Sequence, residues 1–297
     1  MPESESIEWP TVALAVFIHG SWLALTFLHS FLPIWLLVPM GAWLIAWHSS
    51  LQHELIHGHP TRSQSVNRAM GLVPLSLWLP YDVYRTLHLA HHRDEMLTNP
   101  LHDPESAYWT PEQWSELGAV PRLMVRLQTT IIGRLTLGPA WSFGRLLAQE
   151  LASARTSPRD TLLTWAAHLA GCVAVLTWVV GVCKMSPWVY LLGIVYPGMS
   201  LSQLRSFAEH RANESVTERT AIVENATFLG LLFLFNNLHV VHHEHPNLPW
   251  YRIPGCYRKH REAFIAKNGG IVYDSYLDVM RRFLFRVHDD PVHPFAP

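Results

Sequence analysis

The sequence predicts an all-α polytopic membrane protein, with four transmembrane helices in two hairpins and a cytoplasmic helical cap. Three observations predict it. Of 297 residues, 49% are hydrophobic and only 15% charged. Four apolar segments, at about 11–31, 33–52, 161–182 and 187–204, each approach the ~20 residues that a helix needs to cross a hydrocarbon core. Of the 22 lysines and arginines, all but Lys184 lie outside the hairpin turns and the segment before the first span. The whole chain, 1–297, therefore reads as a single membrane-embedded domain whose cap is 53–160 and 205–297.

In chain order, the first span is flanked by Glu3, Glu5 and Glu8 and precedes no small-residue cleavage site, so it reads as a retained span and not a signal peptide. The link Phe31-Leu32-Pro33 is so short that spans one and two form an antiparallel hairpin. The second span continues as helix through Gln52 to His57. Leu72 to Pro80 is apolar but too short to span, and is expected to lie at or re-enter the interface. Tyr81 to Glu95 reads as a helix, and Thr98 to Thr110 as a loop rich in Asp, Pro and Asn. From Val120 to Ala154, Arg122, Arg126, Arg134 and Arg145 fall near whole helical turns. They make a basic stripe, the pattern of a helix lying flat on a membrane or of an amphipathic core helix. Spans three and four form a second hairpin. Pro197-Gly198 predicts a kink, and the helix is expected to continue through Arg205 to His210. Thr227 to Phe235 is a short apolar run leading into Asn236-Asn237, and the tail from Tyr257 is polar and mixed.

Ten arginines lie between Gly58 and Asp160, and Arg205 with ten further Lys or Arg follows the fourth span. This asymmetry puts both termini and the cap on the cytoplasmic side. Cys172, Cys183 and Cys256 form no C-x-x-C pair and no disulfide framework. A net charge of −1 and the lack of a basic-aromatic stretch argue against a nucleic-acid partner.

Within the cap lie three histidine clusters: His53-Glu54-Leu55-Ile56-His57, His88-Leu89-Ala90-His91-His92 and His239-Val240-Val241-His242-His243. Gaps of three and four residues put the rings of each cluster on one helical face. His210, in Glu209-His210-Arg211, is a ninth candidate. A lone histidine in an apolar chain is more often a packing residue than a ligand. That reading stands for His19, His29, His48, His168, His260, His288 and His293, but not for a repeated H-x-x-H-H. Nine nitrogen donors are too many for one tetrahedral zinc and suit two transition-metal ions with open positions. Without a cysteine or haem-attachment motif, they fit a di-iron site that activates oxygen against an aliphatic C–H bond. Glu54, Asp94, Glu95, Glu209 and Glu244 are the carboxylates near enough in sequence to orient the rings.

These boxes, with four spans paired in this order, resemble the membrane fatty acid desaturase superfamily, which also contains hydroxylases and ketolases. The resemblance covers about Ala42 to Pro249. It implies a di-iron centre held by His53, His57, His88, His91, His92, His210, His239, His242 and His243. It also implies dioxygen as oxidant, and an external electron carrier of ferredoxin or cytochrome b5 type. Members of the superfamily add a water-bridged asparagine one turn before the histidine matching His210. Here that place is Ser206, which leaves the coordination of that iron open, with Asn236 or Asn237 as substitutes.

A competing reading is an intramembrane zinc peptidase, because His53 to His57 is also H-E-x-x-H with Glu54 available as general base. It would leave both H-x-x-H-H clusters without a role. A metal transporter would need ionisable ligands inside the bilayer, and the clusters lie outside it. The expected substrate is a lipid or acyl chain. Desaturation ranks above hydroxylation, because the H-x-x-H-H spacing of the second box resembles desaturases more than alkane hydroxylases.

Overall fold

The computed structural model describes residues 7–295; Glu3 and Glu5 of the acidic flank lie outside the described residues. Helix accounts for 68% of the structure and strand for 3%, so the chain is all-α. The helices are, in order, α1 (Trp9–Phe27), α2 (Ile34–Ile56), α3 (Gln64–Gly71), α4 (Tyr81–His91), α5 (Pro111–Glu116), α6 (Ala119–Gln128), α7 (Ile131–Thr156), α8 (Pro158–Leu176) and α9 (Tyr196–Phe207). After a short strand β1 (Ile222–Val223) come α10 (Thr227–Leu232), α11 (His239–Glu244), α12 (Ile253–Lys267), β2 (Val272–Tyr273) and α13 (Tyr276–Phe283). The chain forms two compact units, one of Met1–Arg85 with Pro139–Ser202, the other of Thr86–Gly138 with Gln203–Pro297.

In the first unit, three helices are long and apolar enough to cross a membrane: α1, α2 and α8, the last prolonged as a π-helix to Val182. Their outward residues, among them Phe17, Trp35, Leu163 and Val173, are large and apolar. Hydrocarbon accepts such a face and water does not. The fourth expected span is helical from Val189 to Phe207, but Val189–Val195 is a π-helix and α9 is only 12 residues long. Pro197 explains the irregular start: it has no N–H to close on the Gly193 carbonyl. Close approach holds this segment to α2, since a Cβ on Gly198 would stand 2.5 Å from Ile45 Cβ and one on Gly41 2.7 Å from Ile194. Small residues at such crossings let helix backbones meet.

The apolar stretch after α3 re-enters this unit as irregular backbone. Its carbonyls are bonded by buried side chains, with Tyr190 donating to Leu75 O at 2.6 Å and His168 Nε2 to Leu77 O at 3.2 Å, and Gln52 donates to Gly71 O at the end of α3 at 2.8 Å. Non-helical backbone survives inside an apolar layer only when the protein itself satisfies it. His168 is thereby a structural residue, as its isolation in the sequence suggested.

The long helix expected over Val120 to Ala154 is two helices, α6 and α7. Thr129 and Thr130 turn their hydroxyls onto the Arg126 and Leu127 carbonyls at 2.7 and 2.8 Å. Gly133 then sits so close that a Cβ would be 2.0 Å from Leu127 O. The arginine stripe is correspondingly divided: Arg122 and Arg126 lie over the Trp114 ring, while Arg134 reaches Gln203 Oε1 at 3.3 Å. Helix α4 stops at His91, before the expected Glu95, because the Arg93 N–H closes on Ala90 O and a 3-10 turn follows over Asp94–Met96. Helix α9 stops at Phe207 and does not reach His210. There the chain turns extended, with Ala221 N donating to Glu209 O at 2.8 Å and Arg211 N to Arg219 O at 3.1 Å. The core packs Ile222, Leu238, Val240, Val241 and Phe264 together. Strands β1 and β2 pair in parallel, Ile222 opposite Val272 and Val223 opposite Tyr273.

Candidate metal centre

Helix α11 has two opposite faces. Val240 and Val241 are 2% and 0% exposed and lie in the apolar core, which leaves His239, His242 and His243 on the other side. The two valines of H-V-V-H-H therefore fix the rotation of a helix too short to be stable by itself. On α4 and the residue after it, His88, His91 and His92 follow the same spacing.

Seven of the nine candidates converge in the second unit. His91, His210, His239 and His243 bring their donor atoms within 4.8 Å of one another. The Nε2 atoms of His91 and His239 lie 2.9 and 2.8 Å from His210 Nε2, and His243 Nε2 lies 3.1 Å from that of His239. A second set meets beside it, with His92 Nε2 3.0 Å from both His88 Nε2 and His242 Nε2. In the first unit, His53 and His57 stand one turn apart at the end of α2, their ring centroids 4.9 Å apart.

The outer nitrogens explain the inner ones. His88 Nδ1 donates to Glu105 at 3.0 Å, His91 Nδ1 to Asp103 at 2.9 Å, His239 Nδ1 to Asn236 Oδ1 at 3.0 Å, and His210 Nδ1 to the Arg219 carbonyl at 3.2 Å. An oxygen acceptor at Nδ1 fixes the hydrogen there and leaves Nε2 a lone pair in the neutral ring. Lone pairs converging at 2.8–3.1 Å have the spacing of neighbouring donors set at right angles ~2.1 Å from a shared transition-metal ion. The donor chemistry thus fits iron, copper, nickel or zinc.

Electrostatics keep most of these rings neutral. Burial and the neighbouring imidazoles hold His210, His239 and His243 well below the ordinary histidine value, and His92 at about 2. His91 is the exception. Burial lowers it, but Glu105, Asp103 and Glu209 outweigh that and push it up to about 9. Three carboxylates thus place negative charge beside His91.

Asp103 and Glu105, which the sequence reading missed, come from the loop after α4. It is closed by its own bonds: Thr98 N donates to Asp103 Oδ2 at 2.9 Å, Glu105 N to Asp103 Oδ1 at 2.9 Å, and Ser106 Oγ to Thr98 O at 2.8 Å. The available signal was a loop of Asp, Pro and Asn directly after a histidine box. Of the carboxylates expected to orient rings, Glu209 lies 3.5 Å from His239 Nδ1 and is bonded by Asn236 Nδ2 at 3.2 Å. Glu244 instead pairs with Lys267, and the Asp94 side chain lies outside the described residues. Asn236 uses both ends of its amide on His239 and Glu209, and so orients a ring. Asn237 donates to Val223 O at 2.7 Å, and Ser206 donates to Gln203 O of its own helix. Two histidines outside the clusters have local partners: His288 Nε2 meets the Tyr273 hydroxyl, and His293 Nε2 meets Thr98 Oγ1.

Apolar helices of membrane length and a converging set of imidazoles are the features of a membrane protein with a candidate metal site. The family model described as Fatty acid desaturase matches residues 8–276, and the chain belongs to that family. No curated protein matches it. Membership makes it an oxidoreductase of desaturase or hydroxylase type, in a metal-dependent, membrane-bound family.

Proposed function

We propose that the protein is an O2-dependent di-iron desaturase of an aliphatic chain, a fatty acyl group or other lipid, drawing electrons from an external ferredoxin or cytochrome b5 type carrier. The observation that carries the reading is the convergence of bare Nε2 lone pairs whose outer nitrogens are held by Asp103, Glu105, Asn236 and the Arg219 carbonyl. The proposed iron ligands are His53, His57, His88, His91, His92, His210, His239, His242 and His243; the family resemblance supports including His53 and His57. Iron bound there would supply the activation of dioxygen that breaking an aliphatic C–H bond requires.

The chain's own residues do the rest. Asp103 and Glu105 accept from Nδ1 of His91 and of His88, and Asn236 with Glu209 orients His239. Burial among Val240, Val241 and Ile222 keeps water from the back of α11.

Mass spectrometry of lipids from cells expressing the protein tests the reaction. The expected product is two mass units lighter than its precursor and appears only with oxygen and a reductant. A product heavier by one oxygen would make the enzyme a hydroxylase, and no lipid change in the presence of both would overturn the reading.

We further propose four spans, at about 11–31, 33–52, 161–182 and 187–204, with both termini and all histidine boxes in the cytoplasm. The distribution of arginines supports it. Reporter tags at the N-terminus, near Glu105 and at the C-terminus should read as cytoplasmic, and a tag near Lys184 as opposite. An external Glu105 tag would refute this arrangement.

A further inference from the structure

Helix α13 is apolar on two sides. Tyr276 and Val279 are buried, and Phe283 packs against the rings of Tyr273 and His288, so one side belongs to the core of the second unit. Leu277 and Leu284 lie one heptad apart, on a single helical face, and both are exposed, as is Val287. Between the last two stands Phe285, 76% exposed. Folding accounts for the first side and leaves the second uncovered.

These exposed residues are not on a loose tail. Ile132 N donates to Leu284 O at 3.1 Å, and His288 N to Thr129 O at 2.7 Å, which fixes 284–288 at both ends against the break between α6 and α7. Ile132 is itself exposed and extends the patch. Arg281 and Arg286 are exposed among the apolar residues, Arg281 one turn after Leu277. The acidic side chains of the segment 276–289 are engaged elsewhere, Asp278 by Arg282 Nε at 2.8 Å and Asp289 by Arg211 Nε at 3.0 Å. The patch therefore joins bare hydrocarbon to positive charge.

Arg286 stands between Phe285 and Val287, so an occupant has to offer hydrocarbon and anionic oxygen within the length of one side chain. The boundary between lipid headgroups and acyl chains offers both: apolar side chains enter the acyl region while arginine stems carry the guanidinium out to the phosphates. The chain belongs to a membrane-bound family and has three helices long and apolar enough to cross a membrane, so a lipid surface always accompanies it. We propose that Leu277, Leu284, Phe285 and Val287 dock on the membrane lipid surface, with Arg281 and Arg286 paired to lipid phosphates. The unit that carries seven of the nine candidate ligands is thereby held to lipid by α13 and the residues after it.

The test places a fluorophore on Val287→Cys in the full-length protein in lipid nanodiscs, with Cys256→Ser removing the half-buried native thiol; Cys172 and Cys183 are buried. Nitroxide on the lipid acyl chains should quench this label and aqueous iodide should not. A label on Glu262→Cys, exposed on α12, should show the reverse. Phe285→Asp, and separately Arg281→Glu with Arg286→Glu, should each shift the label at position 287 from nitroxide to iodide quenching. Iodide quenching alone at position 287 in the otherwise native patch would overturn the proposal, as would equal nitroxide quenching at positions 287 and 262. A label shielded from both quenchers would show a protein partner on the patch and overturn it too. Lipid quenching that survives reversal of both arginine charges would refute the pairing with phosphates. None of these readouts depends on iron, so this proposal and the di-iron reading stand or fall separately.

Discussion

His239→Ala should abolish turnover and lower the iron content, with the protein still inserted and folded. The ring stands 2.8 Å from His210 Nε2 and 3.1 Å from His243 Nε2, so its loss opens a gap at the centre of the set that neither neighbour spans. The helix itself should survive, because α11 is anchored by Val240 and Val241, which the substitution does not touch. The loss should exceed the ~10–100-fold that removing a ring's hydrogen-bond partner typically costs. The same is expected of His88, His91, His92, His242 and His243. His168→Ala is the control: it leaves the Leu77 carbonyl only the weak Cys172 thiol as donor and should cost stability, about 1–3 kcal/mol, while the iron stays. Turnover of His239→Ala equal to that of wild type would end the di-iron assignment.

Asp103→Asn should reduce iron affinity or activity by about 10–100-fold. Asp103 uses both oxygens, Oδ1 toward His91 Nδ1 and Glu105 N, and Oδ2 toward Thr98 N. An asparagine has one acceptor oxygen, so either the ring or the loop loses its partner. The remaining amide can present a donor to His91 and turn its tautomer, moving the hydrogen to the nitrogen that has to face the metal. Loss through affinity is recoverable at high iron, whereas loss through unfolding is not. Activity measured across an iron titration therefore separates the two, and an unshifted titration curve would show that Asp103 does not act through His91.

The sequence by itself determined the helical class, three long apolar helices among the four spans it predicts, and the spacing of the histidines. Each is written in local periodicity: a ring every three or four residues, an apolar run of membrane length. It did not determine where helices end. The break at Thr129-Thr130 depends on hydroxyls capping carbonyls and on Gly133 lying against Leu127, and the stop at Phe207 depends on strand-like pairing of Glu209 with Ala221. Nor did it identify which groups hold the rings. Asp103 and Glu105 follow His91 by 12 residues and His88 by 17, respectively, and reach them only because a loop closes on itself. The nearer candidate Glu244 turns away to Lys267. Glu8 and His59, 51 residues apart in the sequence, likewise meet only in the fold. Periodicity encodes which residues share a face. Only tertiary structure decides what that face meets, because the partner's position depends on how distant segments of the chain pack.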